Sequence, residues 1–263
     1  MSTSDRRAQD QWPLPAAGAG ALPVLVEEAL RLAITLDARA LERFARYRSL
    51  LEEWNERAGL TTLTASSDVE RRHFGEALAL LAALREAEVL PAGTPARIAD
   101  LGPGGGFPGV PIAIVEPAIT LTLIESNARR AAFLEYLVTE LALPRVDVVQ
   151  ARAEDAGRDP ALRAGFDLVV ARALAAMPVL VEYALPLLRP GGVLATPKGS
   201  RALDELHDAA AAIAALGGEA LPPRPLSLAR DAPPQLVLLV RRTGALDDRY
   251  PRRAGIPGKR PLG

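Results

Sequence analysis

The stretch DLGPGGGFPGVP, residues 100–111, concentrates glycine and proline directly after a short apolar run. A glycine inside a regular element costs roughly 0.5–1 kcal/mol relative to alanine, so the four glycines within residues 102–106 need a local reason. A tight turn, or a ligand lying against bare backbone, would supply one. Two carboxylates could contact such a ligand, because Asp100 opens the stretch and Glu125 ends the next β-branched run.

The turn suits a phosphate ligand poorly. Gly102 and Gly104 match the dinucleotide-binding fingerprint, but Phe107 stands where a small third residue is needed. Pro108 and Pro111 leave few backbone N–H groups to cradle a phosphate. The Walker pattern also fails, because no Lys-Ser/Thr pair follows the glycines.

S-adenosylmethionine, which carries no phosphate, suits the pattern better. It needs backbone close to its methionine part and a carboxylate for its ribose hydroxyls, and Glu125 is placed for that second task. The segment RAED, 152–155, follows the third predicted strand, where Glu154 or a backbone amide could bind the adenine edge. Two simpler interpretations stay open: Glu125 as an acid favoured by a helix dipole, and 152–155 as a solvated loop.

The segment after the fourth predicted strand narrows the chemistry. It reads ARAL, 171–174, and not the Asn/Asp-Pro-Pro-Tyr typical of methylation at exocyclic amines of bases. The chain has no cysteine, which excludes C5-pyrimidine methylation through a cysteine nucleophile. A guanine N7 carries no proton to remove and needs only alignment. Lys198, at a strand end on the same side, and Arg172 are the candidate catalytic residues.

The elements that must position these residues change character near residue 96. Before it, apolar spacing predicts three amphipathic helices, in 22–34, 41–58 and 66–87, with Ser67 and Glu70 in a capping-box spacing. After it, strands alternate with helices, which predicts an α/β fold with a doubly wound, mostly parallel sheet. The predicted strands are 96–101, 119–125, 145–150, the beginning of 166–174, 191–199 and 234–242, and the predicted helices include 128–143 and 202–218.

Four regions follow from this order. We expect a disordered tail at 1–21, an N-terminal helical cap at 22–92, a cofactor-binding domain at 93–244 and a basic C-terminal tail at 245–263.

The composition limits the class of protein further. A net charge of −1 gives no general attraction to nucleic acid, so any basic surface must be local. No run of eighteen apolar residues is present, and the N-terminal residues lack the apolar stretch of a signal peptide. Without cysteine there are no disulfides or thiolate zinc sites. We therefore expect a cytoplasmic protein that uses no metal and contacts no membrane. We also expect a monomer, although no feature of the composition indicates the oligomeric state.

Several of these motifs together resemble one family. The stretches DLGPGGGFPGVPIAIV, RAED, ARAL, PKG and the terminal YPRRAGIPGKRPL resemble the bacterial small-subunit ribosomal RNA guanine-N7 methyltransferases, also called glucose-inhibited division protein B, from about residue 41 to 263. The resemblance implies the seven-stranded Rossmann-like sheet of class I S-adenosylmethionine-dependent methyltransferases. It also implies methyl transfer to N7 of a guanine in 16S ribosomal RNA, the family's guanine-527, with that RNA or the small subunit as partner.

The resemblance also assigns residues. It places the cofactor against four segments, at Asp100, Gly102, Gly104, Phe107, Glu125, Ser126, Asn127, Ala153, Glu154 and Arg172. The expected RNA contacts are basic residues and one histidine, namely His73, Arg129, Arg130, Lys198, Arg252, Arg253, Lys259 and Arg260. For the basic C-terminal residues a second interpretation is a tether docked on the sheet, with Tyr250 and Pro257 packing.

The sequence departs from the family pattern at five positions. Gly59 stands for the usual Asn, Glu76 for Asp, Ala77 for Ser, Ala171 for Ser, and Pro103 for Ser or Thr. These departures keep two alternatives open. One is a methyltransferase acting on another RNA or a small molecule, and the other is a non-catalytic cofactor-binding module that regulates a partner.

Overall fold

Within residues 21–63, 65–229 and 232–263, which the computed structural model describes, seven strands form one sheet in the order β3-β2-β1-β4-β5-β7-β6. The strands are β1 (Arg97–Leu101), β2 (Thr120–Glu125), β3 (Val146–Gln150), β4 (Phe166–Ala171), β5 (Leu188–Lys198), β6 (Gly218–Leu226) and β7 (Gln235–Arg242). The pairs among β1 to β5 are parallel, whereas β7 runs antiparallel to both β5 and β6. The predicted mostly parallel sheet is therefore confirmed.

The helices are α1 (Pro23–Arg31), α2 (Ala38–Ala58), α3 (Ser66–Val69), a π-helix (Glu70–Gly75), α4 (Glu76–Glu86), α5 (Gly109–Val115), α6 (Ala128–Glu140), α7 (Ala153–Ala156), α8 (Met177–Ala184), α9 (Ala202–Asp208), α10 (Ala210–Ala215) and α11 (Ile256–Lys259). They cover the sheet on both faces. Successive residues of a strand point to opposite faces, so Ile98 joins the core under α1, α2 and α4 to α6, while Ala99 joins the core under α8 to α10. A parallel sheet buried on both faces needs such continuous apolar strands.

A buried glutamate fastens the first helix. Glu70, only 2% exposed, accepts hydrogen bonds from the backbone N–H groups of Val24 (3.0 Å) and Leu25 (3.1 Å) and pairs with Arg48 at 2.5 Å. The predicted capping box is wrong. The helix begins at Ser66, so Ser67 lies inside it, and the Glu70 carboxylate caps α1 instead. Orphan N–H groups at a helix start favour a carboxylate partner from any part of the chain.

The third predicted helix contains a π-helical turn. Residues 66–86 are helical throughout, but Glu70–Gly75 takes the wider π geometry between α3 and α4. Such insertions are rare and frequently occur at functional sites. This one carries His73.

Three further differences separate the observed elements from the predicted ones. The segment GEALPPRPL was not predicted as a strand, yet it forms β6, because proline is tolerated on an edge strand. The predicted helix 202–218 is interrupted at Ala209 and gives α9 and α10. The strand predicted at 191–199 starts earlier, at Leu188.

The predicted four-part division stays a prediction. Residues 1–20 of the expected disordered tail lie outside the described residues. The cap helices share one apolar core with the sheet, including Phe44 and Leu121. In the part of the chain that is described, no helix is long and apolar enough to cross a membrane, and no group of His, Cys, Asp or Glu is placed to hold a metal.

We predict that Glu70→Ala lowers the free energy of unfolding by about 3–5 kcal/mol, because it removes the buried carboxylate that two α1 amides donate to and that forms the ion pair with Arg48. Urea unfolding measures the change. The matched control is Glu42→Ala on the exposed face of α2, which should change stability by less than about 0.5 kcal/mol. Equal effects of the two substitutions would contradict this account of the cap.

Candidate cofactor and nucleotide site

The predicted site residues converge at the carboxyl edge of the sheet. Asp100 lies near the end of β1, Glu125 ends β2, α7 follows β3, Arg172 follows β4 and Lys198 ends β5. Ligands of open α/β sheets bind at this edge, next to the strand where the order reverses. Here the reversal lies between β1 and β4, beside the glycine turn.

The glycines of the turn bring backbone to an open space. Gly102 and Gly104 have φ angles of +66° and +58°, in the left-handed region that favours glycine. A side chain at Gly102 would meet Leu174 of the loop after β4, with its Cβ only 2.7 Å from Leu174 Cδ1. A side chain at Gly104 would meet nothing within 4 Å. The turn therefore presents bare backbone at Gly104 to any ligand at this edge.

Glu125 ties the turn to the start of α6. It is 4% exposed, and its two carboxylate oxygens accept from the N–H groups of Gly104 (3.2 Å) and Asn127 (2.8 Å). The helix cap itself is Asn127, which accepts from the N–H groups of Arg129 and Arg130. Each carboxylate oxygen of Glu125 keeps a second acceptor position, which ribose hydroxyls could use.

Asp100 is fully buried behind the turn. Its Oδ2 accepts from the Gly109 N–H at 2.7 Å, while Oδ1 has no hydrogen-bond partner among the described residues. Burial raises the pKa of Asp100 to about 7, although the Gly109 hydrogen bond and the charge of Arg172 lower it. A buried acceptor without a partner is costly, so this position favours a ligand or water that donates to it.

Phe107 lies in the interface between the turn and the cap. Its ring stacks on Tyr47 with centroids 5.4 Å apart and on His73 with centroids 4.5 Å apart. The Arg172 guanidinium carbon lies 5.2 Å from the same ring centroid. Tyr47 also donates its hydroxyl to the Gly105 carbonyl at 2.5 Å. Phe107, only 4% exposed, thus anchors the cofactor turn to the helices.

Arg172 is held from the cap side. Its NH1 group donates to Glu76 Oε2 and to the Arg72 carbonyl, both at 3.1 Å, and its NH2 group donates to His73 Nδ1 at 3.0 Å. Since arginine has only donors, His73 Nδ1 carries no proton, and Nε2–H donates to Thr61 Oγ1 at 2.7 Å. Burial, together with the Arg172 charge, lowers the pKa of His73 to about 4.

Four departures from the family pattern have a structural explanation. Glu76 still gives Arg172 a carboxylate partner, and Ala77 is buried in the cap core. Gly59 ends α2 with a φ of +58°, a conformation that asparagine also tolerates. Pro103 accepts through its carbonyl from the N–H groups of Gly106 and Phe107, so the turn closes without a hydroxyl there. For Ala171, nothing in the structure explains the exchange.

A cleft of about 490 Å³ opens between the π-helix and the loops after β4 and β5. That size suits a small-molecule or nucleotide ligand. Its lining includes Arg72, His73, Glu76, Arg172, Ala173 and Lys198. The Lys198 ammonium lies at this cleft and donates to the Ala175 carbonyl (2.8 Å) and to Glu205 (2.7 Å). The structure thus brings the two candidate catalytic residues to one cleft.

Other predicted site residues lie elsewhere on the same edge or beyond it. Ser126 and Arg129 are exposed at the start of α6, and Arg130 donates to the Gly59 carbonyl. Ala153 is half-buried at the start of α7. Glu154 is 3% exposed, and its Oε1 accepts from the N–H of Gly255 in the C-terminal tail.

The basic tail residues divide into two groups. Arg252 donates from Nε and NH2 to the fully buried Glu182, so its guanidinium is already occupied, in agreement with the tether interpretation. Arg253, Lys259 and Arg260 are exposed and form no ion pair with any described residue. Whether any of them contacts RNA stays a prediction.

Two residues that help to build this edge, Tyr47 and Glu182, were not predicted from the sequence. Tyr47 looks like any apolar position of an amphipathic helix, and its contact with Gly105 depends on the tertiary fold. Glu182 did give a signal, because it is a lone acid in the apolar helix MPVLVEYA. Its burial could have indicated a charged partner.

The sequence matches the family described as rRNA small subunit methyltransferase G, or GidB, over residues 40–225, well over half of the chain. Two relatives carry the name ribosomal RNA small subunit methyltransferase G. That of Desulfitobacterium hafniense (strain Y51) is 41% identical over 232 residues, which cover 88% of this chain and 93% of the relative. That of Roseiflexus castenholzii (strain DSM 13941 / HLO8) is 42% identical over 241 residues, which cover 90% of this chain and 100% of the relative.

Solved structures share the fold at low sequence identity. A Klebsiella pneumoniae protein assigned as an O-methyltransferase aligns with a TM-score of 0.52 and 16% identity, covering 83% of this chain and 96% of its own. The cyclase SpnF aligns with a TM-score of 0.51 and 17% identity, and the alignment covers 81% of this chain and 98% of the cyclase. A cyclase on the same fold means that the fold alone does not determine the reaction.

The structure and the relatives together confirm the predicted α/β class, the predicted methyltransferase activity and S-adenosylmethionine as the cofactor. The chain belongs to the rRNA small subunit methyltransferase G family.

Proposed function

We propose that this protein transfers the methyl group of S-adenosylmethionine to N7 of a guanine in 16S ribosomal RNA, at the position corresponding to the family's guanine-527. The observation that supports this most directly is the cleft lined by Arg172 and Lys198, together with the position of the Arg172 guanidinium over Phe107, the residue that follows the glycine turn. We further propose that the substrate is the RNA or the small subunit, and that the enzyme acts in the cytoplasm as a monomer.

The residues at the sheet edge fit the cofactor. Bare backbone at Gly104 allows close approach of the methionine part, and the free acceptor Oδ1 of Asp100 would suit a donor there. Glu125 retains acceptor capacity for the ribose hydroxyls. When bound, S-adenosylmethionine supplies an electrophilic methyl group on a sulfonium.

The reaction needs little chemistry from the protein. With S-adenosylmethionine held at Gly104 and Glu125, the N7 lone pair would take the methyl group as the sulfur leaves, and the protein would have no proton to remove. Nothing in the cleft has to act as a base, which agrees with a His73 whose two ring nitrogens are both engaged. The main contribution is then alignment of the two reactants.

Arg172 and Lys198 would hold the guanine. The major-groove edge of guanine carries two acceptors, O6 and N7, and both Arg and Lys bind this edge. During methylation N7 must be free, so the donors would bind O6 or a neighbouring phosphate. Arg172 pairs with Glu76, and Lys198 pairs with Glu205. Because these carboxylates offset the two cations, neither cation opposes the positive charge that methylation leaves on the guanine. The target base in folded RNA must be unstacked to enter the cleft.

We predict that Lys198→Met lowers kcat/KM for small-subunit RNA about tenfold or more, while the affinity for S-adenosylmethionine changes less than about twofold. The reason is the loss of one charge-assisted hydrogen bond to the RNA. Methyl incorporation from labelled cofactor and calorimetry give the two numbers. Arg46→Met, which removes an exposed cation on α2 that pairs with Glu140, is the control and should leave both numbers unchanged.

The reverse result for Lys198→Met, with cofactor affinity lost and RNA turnover kept, would remove its RNA role. Methyl transfer to a small molecule without RNA would favour the small-molecule alternative. Cofactor binding without any methyl transfer would favour the regulatory module.

We predict that neutral His73 makes the fold less stable in acid. Its pKa is about 4 in the folded chain against 6.5 when unperturbed, so the unfolded chain binds more protons between these values. The stabilisation that depends on neutral His73 is complete above pH 6.5 and is lost as the pH falls. At pH 5 this loss lowers the free energy of unfolding by about 2 kcal/mol. Urea unfolding gives the free energy of unfolding at pH 7.5 and at pH 5. The difference between these two values should be smaller for His73→Gln than for the unsubstituted protein.

The control for this prediction is His207→Gln, since the chain has two histidines and His207 is exposed on α9. It should leave the difference between the two pH values unchanged. An equal effect of both substitutions would show that His73 is not held neutral.

A further inference from the structure

The C-terminal segment 249–260 folds back onto the sheet domain. Arg163 donates to the Tyr250 carbonyl at 2.7 Å, and Tyr250 is 5% exposed. Pro251 packs against Gly157 at the end of α7, where a Cβ would lie 2.9 Å from its Cγ. The segment is therefore part of the folded structure, although proline, glycine and charge dominate its sequence.

Two buried carboxylates hold this segment. Glu182 is fully buried and accepts from the backbone N–H of Arg252 at 2.8 Å as well as from its guanidinium. Glu154 is 3% exposed and accepts from the Gly255 N–H at 2.7 Å. Buried carboxylates are stable only when they are paired or hydrogen-bonded. Without the segment, both would lose hydrogen-bond partners.

One of these carboxylates belongs to the cofactor edge. The glycine turn follows β1, Glu125 ends β2, and Glu154 follows β3, the next strand in the sheet. Neighbouring strands lie about 4.8 Å apart. A cofactor with its methionine part at the turn and its ribose at Glu125 therefore extends its adenine toward the end of β3 and α7, where the segment docks.

We infer that the segment 249–260 is a positioning element for the adenosine half of S-adenosylmethionine, held in place by Arg252 on Glu182 and by Gly255 on Glu154. It fixes α7 and the Glu154 carboxylate beside the adenine position. The inference rests on the use of S-adenosylmethionine and not on the RNA target, so a different RNA target would leave it intact.

Two consequences follow from thermodynamic linkage. If docking of the segment favours cofactor binding, cofactor binding must stabilise the docked segment by the same factor. A substitution that weakens docking must then weaken cofactor affinity, even when the substituted residue does not touch the cofactor.

Gly255→Ala tests the second consequence with a small change in the segment. Gly255 has a φ of +80°, and an added Cβ would meet nothing within 4 Å, so the substitution strains only the backbone that presents the N–H to Glu154. Gly191→Ala is a matched control, because Gly191 has a φ of +83°, is equally unobstructed and lies near the start of β5, away from the carboxyl edge. Calorimetry with S-adenosylhomocysteine on the full-length protein should show a roughly fivefold loss of affinity for Gly255→Ala and no loss for Gly191→Ala.

Limited trypsin digestion tests the first consequence. Saturating S-adenosylhomocysteine should slow cleavage after Arg253 and Lys259 in the unsubstituted protein. Arg252→Met should remove that protection at the same two sites and lower the affinity further than Gly255→Ala does. Arg189→Met, which breaks an exposed pair with Asp167, serves as the control. If Arg252→Met does not fold, the cofactor affinity of Gly255→Ala still tests the inference.

Two results would overturn the inference: unchanged affinity in Gly255→Ala, or cleavage that the ligand does not slow. If affinity and protection change as expected while RNA methylation is absent, the proposed RNA function fails and this inference stands.

Discussion

The stack of Phe107 between Tyr47 and His73 joins the cofactor turn to the helical cap, and most of the site depends on it. Aromatic pairs contribute about 0.5–1.5 kcal/mol each beyond the burial of their surface. The same histidine accepts a hydrogen bond from Arg172, which also lies over the Phe107 ring. One side chain thus fixes the turn, the π-helix and a cation of the cleft relative to one another. This explains why a large ring stands where a dinucleotide site has a small residue.

Buried carboxylates form the second organising feature of the edge. Asp100, Glu125, Glu154 and Glu182 are each at most 4% exposed, and each accepts at least one backbone N–H from a loop, from the start of α5 or from the C-terminal tail. The loops that would hold the ligands are therefore fixed to a rigid sheet by hydrogen bonds, which places binding groups without requiring a large apolar pocket. Because most cations near the cleft have carboxylate partners, RNA affinity at a net charge of −1 must come from a few exposed basic residues and should fall with salt.

Local patterns in the sequence were enough to predict the alternation of strands and helices, the glycine turn and the carboxylate at the end of β2. Contacts between distant residues were not predictable. Glu70 binds the N–H of Val24, 46 residues before it, and Arg252 binds a glutamate 70 residues before it, so no spacing rule could pair them. The strand β6 was not predicted because its sequence contains several prolines, which are tolerated only in a strand at the edge of a sheet. For Glu154, the sequence indicated the correct edge of the sheet, while the structure adds a tail amide as its partner.

The most direct test is to map N7-methylguanine in small-subunit ribosomal RNA from cells that have this protein and from cells that lack it. Subunits from the cells that lack it are then mapped again after incubation with the purified protein and S-adenosylmethionine. The account predicts one N7-methylguanine, at the position corresponding to guanine-527, that disappears with the protein and returns in the reconstituted reaction. An unchanged map in both comparisons would contradict it.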